Sequence, residues 1–220
     1  MGKLIAFEGI DGSGKSTHAR LAREKLADLG VDFRSVTFPR YDNPSATLIK
    51  MYLGGEFGSN PGDVNPYASS CFYAVDRYAS FKQDWMDYYN NGGIMIADRY
   101  TTSNAIHQGA KFPPEKRNEF FRWLTNFEFD LMELPKPDAV IYMDTPLELA
   151  KSRIISRAAG AQTDIHERDF SYLALCHECG SMAADEYGWI RIKAEKDGRE
   201  RSVDEVNDEI FGIIKEILSI

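Results

Sequence analysis

The chain has 220 residues, 43% of them hydrophobic and 27% charged, with a formal net charge of −8. This is enough for one domain with a sizeable core, and the composition is that of a globular protein rather than a disordered or fibrous one. An acidic chain with no long Lys/Arg run argues against a nucleic-acid polymer as partner, and no apolar stretch approaches the roughly 20 residues that span a bilayer. Three cysteines are too few for a disulfide scaffold. The opening segment KLIAFEG lacks the charged lead and cleavage site of a signal peptide, so a cytoplasmic protein with small-molecule ligands is expected.

In chain order, KLIAFEG (Lys3 to Gly9) reads as a strand. It is followed by a helix whose Ala19, Ala22, Leu26 and Leu29 recur at helical spacing before Gly30. VDFRSVTFP predicts a second strand ending at Pro39, then a short helix near Ser45 to Leu53 and a long one near Tyr67 to Asn90. GIMIADR is a third strand ending at Asp98, and DAVIYMD (Asp138 to Asp144) a fourth, with a helix opening at Thr145 and Pro146. WIRIKA is a fifth strand, and Val203 to Leu218 a closing amphipathic helix. Strands alternating with helices predict an α/β fold with a five-stranded parallel sheet covered on both faces, whose ligands bind at the carboxyl ends of the strands.

Gly9, Gly14, Lys15 and Ser16 meet the G-x-x-x-x-G-K-[ST] pattern between a strand and a helix. The run Gly9, Ile10, Asp11, Gly12, Ser13, Gly14, Lys15, Ser16, Thr17 therefore reads as a phosphate loop for a nucleoside triphosphate. Its main-chain N–H groups and the helix N-terminus face the anion, Lys15 reaches the β/γ-phosphates and Ser16 is a ligand for Mg²⁺. Asp11 is the anomaly, a carboxylate in a loop built for anions. The N-K-x-D motif of GTPases is absent and the chain is too short for motor machinery, so a small-molecule kinase leads over a nucleotide-dependent switch.

The acceptor side is read from three segments. Asp98 ends an apolar strand, where a carboxylate organises Mg²⁺, and Arg99 beside it suits a guanidinium bridging donor and acceptor phosphates. In FPRY, Phe38 and Tyr41 offer aromatic walls and Arg40 a second phosphate contact. Tyr73 and Arg77, spaced i, i+4 on the long helix, offer a ring to stack a base and a donor for its edge.

Together EGIDGSGKST, FPRY, FYAVDRY, DRYTTSNAIHQGAK, LPKPDAVIYMD and DIHERD resemble thymidylate kinase over nearly the whole chain, from about Gly2 to the last helix. The resemblance implies the phosphate-loop nucleoside-monophosphate kinase architecture. It also implies transfer of the γ-phosphoryl of ATP to dTMP, giving dTDP on the way to dTTP, with Mg²⁺ and as a homodimer through the helices around Ser45 to Asn90. By the same resemblance Arg40 and Arg99 hold the acceptor phosphate, Tyr73 stacks on thymine and Arg77 bonds its O4. Asn104 with Ser103 reads the pyrimidine edge, Tyr41 lines sugar and phosphate, and Gln108 joins the acceptor site. Asp11 accepts from the acceptor's 3′-hydroxyl. His107 stands where many members have Tyr or Phe beside the sugar's 2′ side.

The family divides by whether a catalytic arginine lies in the phosphate loop or in a mobile lid. Gly12 occupies the loop position, so the resemblance assigns that cation to a lid at about 152–169, where Arg153, Arg157 and Arg168 are available and Arg157 is favoured. Arg153 is counted with the ATP site. Cys176 and Cys179 have the spacing of a zinc half-site but no matching second pair, so they read as small side chains packing on one helix face. Within the enzyme class the alternative is a deoxynucleoside kinase or a kinase of another nucleoside monophosphate.

Overall fold

Apolar side chains stand on both faces of three strands, which a sheet accommodates only where helices cover it twice. In the computed structural model, which describes residues 1–158 and 169–220, these strands are β1 (Lys3–Glu8), β3 (Ile94–Asp98) and β4 (Ala139–Asp144). With β2 (Arg34–Thr37) and β5 (Ile190–Lys193) they form a parallel sheet in the order β2-β3-β1-β4-β5. The helices are α1 (Lys15–Asp28), α2 (Thr47–Leu53), α3 (Pro66–Ser80), α4 (Met86–Asn90), α5 (Thr101–His107), α6 (Pro114–Thr125), α7 (Leu147–Ala158), α8 (Phe170–Tyr187) and α9 (Val203–Leu218). A two-stranded hairpin, β6 (Glu195–Lys196) and β7 (Arg199–Glu200), lies between β5 and α9.

The period of two along each strand decides which face each side chain joins. Ile5, Phe7, Ile96, Ile141 and Met143 pack against Ala19, Ala22 and Leu26 of α1 and Val206, Ile210 and Ile214 of α9. Leu4, Ala6, Met95, Ala97, Val140 and Tyr142 face the larger core of α5, α6 and α8. β1 lies between β3 and β4, so its carboxyl end is where the order of strands reverses, and the loop after it opens there.

The elements agree with the sequence reading, with three adjustments. β2 is a short edge strand with three of its four residues exposed or nearly so, and it begins at Arg34 rather than Val31. The long helix after Pro66 is interrupted by a π-helical turn at Phe81–Trp85, and a second π-turn, Asn126–Leu131, follows α6. α7 begins at Leu147, beyond Thr145, because the Thr145 hydroxyl donates instead to the Ser13 carbonyl at 3.0 Å.

α9 begins with a capping box, Ser202 and Glu205 each accepting from the other's backbone N–H. Ile210 is fully buried under the sheet face opposite the larger core. Ile210→Ala should lower unfolding free energy in urea titration by about 2–5 kcal/mol. Leu131→Ala, at a side chain 71% exposed, should change it by less than about 0.5 kcal/mol.

Candidate active site

The turn after β1 is set by glycines. Gly9, Gly12 and Gly14 have φ of 148°, 77° and 90°, in the left-handed region that side chains disfavour. A Cβ on Gly12 would also run into the Ala150 carbonyl of α7, so that helix packs directly against the loop backbone. From the same side the Arg153 Nη1 donates to the Gly12 and Ser13 carbonyls, both at 3.3 Å, while Nη2 donates to Glu200 at 2.7 Å. The loop is thus fixed from outside, with Ile10 buried beneath it and Ser16 and Thr17 exposed at the start of α1.

Lys15 is 5% exposed and folds back over the loop, donating to the Ile10 carbonyl at 3.1 Å and approaching Asp11 at 3.5 Å. Burial, with the Arg99 cation next in weight, lowers its pKa to about 8 despite the nearby carboxylates. A phosphate placed there would favour the ammonium form.

Arg99 follows the end of β3 with φ at 67°, a conformation that costs a non-glycine residue about 1–3 kcal/mol and is kept only where the surroundings impose it. Its N–H donates to the Phe7 carbonyl at 3.1 Å. The guanidinium forms a short ion pair with Asp11 and lies 3.2 Å from His107 Nε2. Burial works against its charge, but Asp11, Glu8 and Asp98 outweigh it and push the pKa up. The donor loop and the β3 terminus are therefore joined through one cation.

Asp11, Lys15, Ser16, Asp98 and Arg99 line one end of a cavity of about 290 Å³. Its other walls include Phe38, Tyr41 and Tyr73, together with Arg77, Ser103 and His107. Most of the acceptor residues named from the sequence thus come together, joined by Thr37, Pro39 and Leu53, which were not named. Arg40, Asn104 and Gln108 do not line it. Arg40 pairs with Asp76, at 3.3 Å, and with Asp84, and donates to Ser45 Oγ at 3.1 Å. The Asn104 amide donates to the Ser70 carbonyl and to Glu128, and Gln108 is fully buried, accepting from Ser69 Oγ at 2.7 Å. A second cavity, about 260 Å³, lies between α5, α6 and α8 and contains none of the phosphate-binding groups. Chemistry, not volume, selects the first.

The oxygen donors at the phosphate end suit a hard cation. Asp98 is 7% exposed, its Oδ1 is buried without a hydrogen-bond partner, and it lines the same cavity as the Ser16 hydroxyl. Among the described residues no cluster of three or more His, Cys, Asp or Glu side chains is placed to hold a metal. A carboxylate, a hydroxyl and substrate phosphates is a donor set that Mg²⁺ accepts. Cys176 and Cys179 are buried in α8, the first 3.6 Å from His107 Nδ1 and the second donating to the Ala105 carbonyl at 3.3 Å.

Besides Asp76 and Asp84, which pair Arg40, two carboxylates closer to the site escaped the sequence reading. Glu8, fully buried, accepts from Tyr100 N at 2.8 Å, Thr102 Oγ1 at 2.6 Å and Ser103 Oγ at 2.7 Å, tying the start of α5 to the end of β1. Burial raises its pKa against these donors. Its charge inside the apolar run LIAFE was the available signal. Glu128, in the second π-turn, is also fully buried and bonds Arg77, and FEFD gave no sign of it. Of the lid at about 152–169, residues 159–168 lie outside the described residues, and with them Arg168; the side chain of Arg157 also lies outside them.

The thymidylate kinase family model matches residues 7–210. The thymidylate kinase of Mycobacterium tuberculosis is 32% identical over 204 residues, 88% of this chain and 92% of that protein. A probable thymidylate kinase of Pyrobaculum aerophilum is 28% identical over 215 residues, 98% and 97% of the two chains. The solved thymidylate kinase of Candida albicans superposes with a TM-score of 0.73 at 23% identity, covering 98% of this chain and 92% of that one, a likeness of fold.

Lys15 generates a pH prediction. Its pKa of about 8 means that the cation is lost as pH rises through that value. The affinity for a non-hydrolysable nucleoside triphosphate, measured by calorimetry from pH 7 to pH 9.5, should fall across that window. Lys15→Arg, which stays charged, should show a flat profile there; a flat wild-type profile would contradict the assignment.

Proposed function

The chain belongs to the thymidylate kinase family, and from that premise we propose how its residues share the work of moving the γ-phosphoryl group of ATP to dTMP. It is a nucleoside-monophosphate kinase, forming dTDP and ADP. One observation carries the assignment. Arg99, paired with Asp11 of the donor loop, opens into the same cavity as the base-sized walls of Tyr73 and Arg77. A guanidinium at that seam touches both the donated phosphoryl and its acceptor, and stabilises charge as it passes between them.

The attacking atom is a phosphate oxygen of dTMP, already a competent nucleophile, so no general base is needed and positioning supplies most of the rate. Lys15 and the main chain from Gly9 to Thr17 hold the β/γ-phosphates. Ser16 and Asp98, together with those phosphates, would hold Mg²⁺, which when bound would supply positive charge against them. The cavity walls divide the acceptor. Tyr73 stacks on thymine and Arg77 donates to O4, Ser103 approaches the pyrimidine edge, Phe38 and Tyr41 enclose the sugar and phosphate, and His107 fills the 2′ side. Asp11, carried by the donor loop but lining the acceptor cavity, receives the 3′-hydroxyl. Arg40 takes the acceptor phosphate by exchanging its contacts with Asp76 and Asp84. Asn104 and Gln108 support the site from behind the wall.

The lid reading draws support from α7. With Gly12 closed off by the Ala150 carbonyl, no side chain fits at that loop position. The transition-state cation is therefore assigned to the lid at about 152–169, which begins within the last turns of α7, with Arg157 the choice and Arg153 bracing the loop on the ATP side. We assign the whole chain to one domain. A homodimer through α2 and α3 is supported by Leu48, Val75 and Tyr78, which are 44%, 51% and 38% exposed on those helices. The reading also places the enzyme in the cytoplasm.

A panel of acceptors with ATP tests the function: dTMP should turn over well ahead of dCMP, dGMP and dUMP, and ribo-TMP measures what His107 allows at the 2′ position. Preferred turnover of another base would sink the thymine assignment. Asp11→Ala should raise KM for dTMP about tenfold or more, the loss of a charge-assisted hydrogen bond, and leave KM for ATP within about twofold. Equal damage to both would remove the 3′-hydroxyl role. In solution, light scattering should give a dimer mass, and Val75→Asp should give a monomer.

A further inference from the structure

Glu128 belongs to no motif and lines no part of the cavity, yet its carboxylate is fully buried and takes four donors. Arg77 Nε donates to Oε2 at 2.7 Å and Nη2 to Oε1 at 2.6 Å, a bidentate pair. Thr101 Oγ1 donates to Oε2 at 2.7 Å, and Asn104 Nδ2 to Oε1 at 3.2 Å. Arg77, 1% exposed, directs Nη1 toward the Tyr100 carbonyl at 3.4 Å. One carboxylate thus joins α3, α5 and the π-turn after α6, directly behind the arginine that walls the acceptor cavity.

A buried ion pair of this kind is a poor source of stability, because desolvating both charges offsets most of their attraction. What it fixes is geometry. The two N–H groups that lie on Glu128 are unavailable to anything else, and the plane of the guanidinium is set by the fork. Arginine has donors only, so a fixed Arg77 accepts a base edge that presents a carbonyl oxygen and opposes one that presents an amino group.

We infer that Glu128 is a positioning residue for base selection, holding Arg77 in the one orientation that admits a 4-oxo pyrimidine and rejects a 4-amino one. The inference rests on the proposal that Arg77 faces the base. With Glu128 gone, Arg77 is free to take other rotamers, and the cavity wall it presents loses its defined donor pattern. Thr101 is part of the same device, since its hydroxyl holds the carboxylate that holds the arginine.

Steady-state kinetics of Glu128→Gln, which keeps volume and removes charge, tests this with dTMP and dCMP as acceptors. Losing one charge-assisted contact should raise KM for dTMP about tenfold or more and narrow the dTMP:dCMP ratio of kcat/KM by a similar factor. KM for ATP should stay within about twofold. Thr101→Val, nearly isosteric, should move the ratio in the same direction by a smaller amount and supplies the readout if Glu128→Gln fails to fold. A lowered melting temperature with an unchanged ratio would show Glu128 to be structural and overturn the inference. Arg77→Met separates the two layers. If it collapses the ratio while Glu128→Gln and Thr101→Val leave it intact, the inference falls and the base reading stands. If Arg77→Met keeps the ratio, both fall.

Discussion

The site is organised around the ion pair between Arg99 and Asp11. Arg99 follows the end of β3, Asp11 belongs to the loop after β1, and parallel pairing sets Phe7 opposite Asp98, so the two groups arrive side by side. Glu8 and Asp98 add negative charge around the same guanidinium, which is why it stays charged in spite of burial. Arg99 touches the donor loop and opens into the acceptor cavity at once. Its left-handed backbone is tolerated because the Phe7 carbonyl and the Asp11 carboxylate hold it from two directions.

The surrounding structure holds that geometry through buried polar anchors rather than apolar packing alone. Glu8 collects three donors from the start of α5, so the end of β1 and the residues after Arg99 move as one piece. Thr145 and Arg153 do the same for the phosphate loop from the β4 side. Leaving any of these carboxylates or carbonyls without donors would cost about 1–3 kcal/mol each, more for a charge, so the donors are held in register with the site. The apolar faces under α1 and α9 supply burial. The polar anchors supply placement.

Most of the fold was legible because its signals are local. Glycine-bounded apolar runs gave the sheet, the spacing of Gly9, Gly14, Lys15 and Ser16 gave the loop, and the period of 3.6 from Val203 gave α9 to its final residue. Glu128, Asp76 and the second contact of Arg153 were not legible, because each is a partner chosen by tertiary contact across 36 to 141 positions of sequence. The π-turns at Phe81–Trp85 and Asn126–Leu131 were missed for a related reason. One extra residue in a turn leaves the apolar spacing almost unchanged, although it rotates everything after it. Glu128 lies within such a turn and is buried there.

Those partners also resolve the presence of an acid in a loop made for phosphate. Asp11 pairs Arg99, and Asp76 and Asp84 pair Arg40, so the arginines assigned to phosphate each already face a carboxylate. A buried guanidinium without a counter-charge is costly, and a carboxylate beside it lifts that cost at once. A phosphate entering the cavity therefore exchanges one anionic partner for another, and the net gain is the difference between two charge-assisted pairings rather than the whole of one. That difference, rather than the full pairing energy, sets both capture of substrate and release of product. For Asp11 the exchange is productive in a second way. Once a phosphoryl group takes the guanidinium, the carboxylate is left with acceptor capacity at the wall of the cavity, where a hydroxyl of the acceptor can satisfy it. On the proposed function the acid in the donor loop ties occupation of the acceptor site to the arrangement of the donor, through a cation, Arg99, that both sides share.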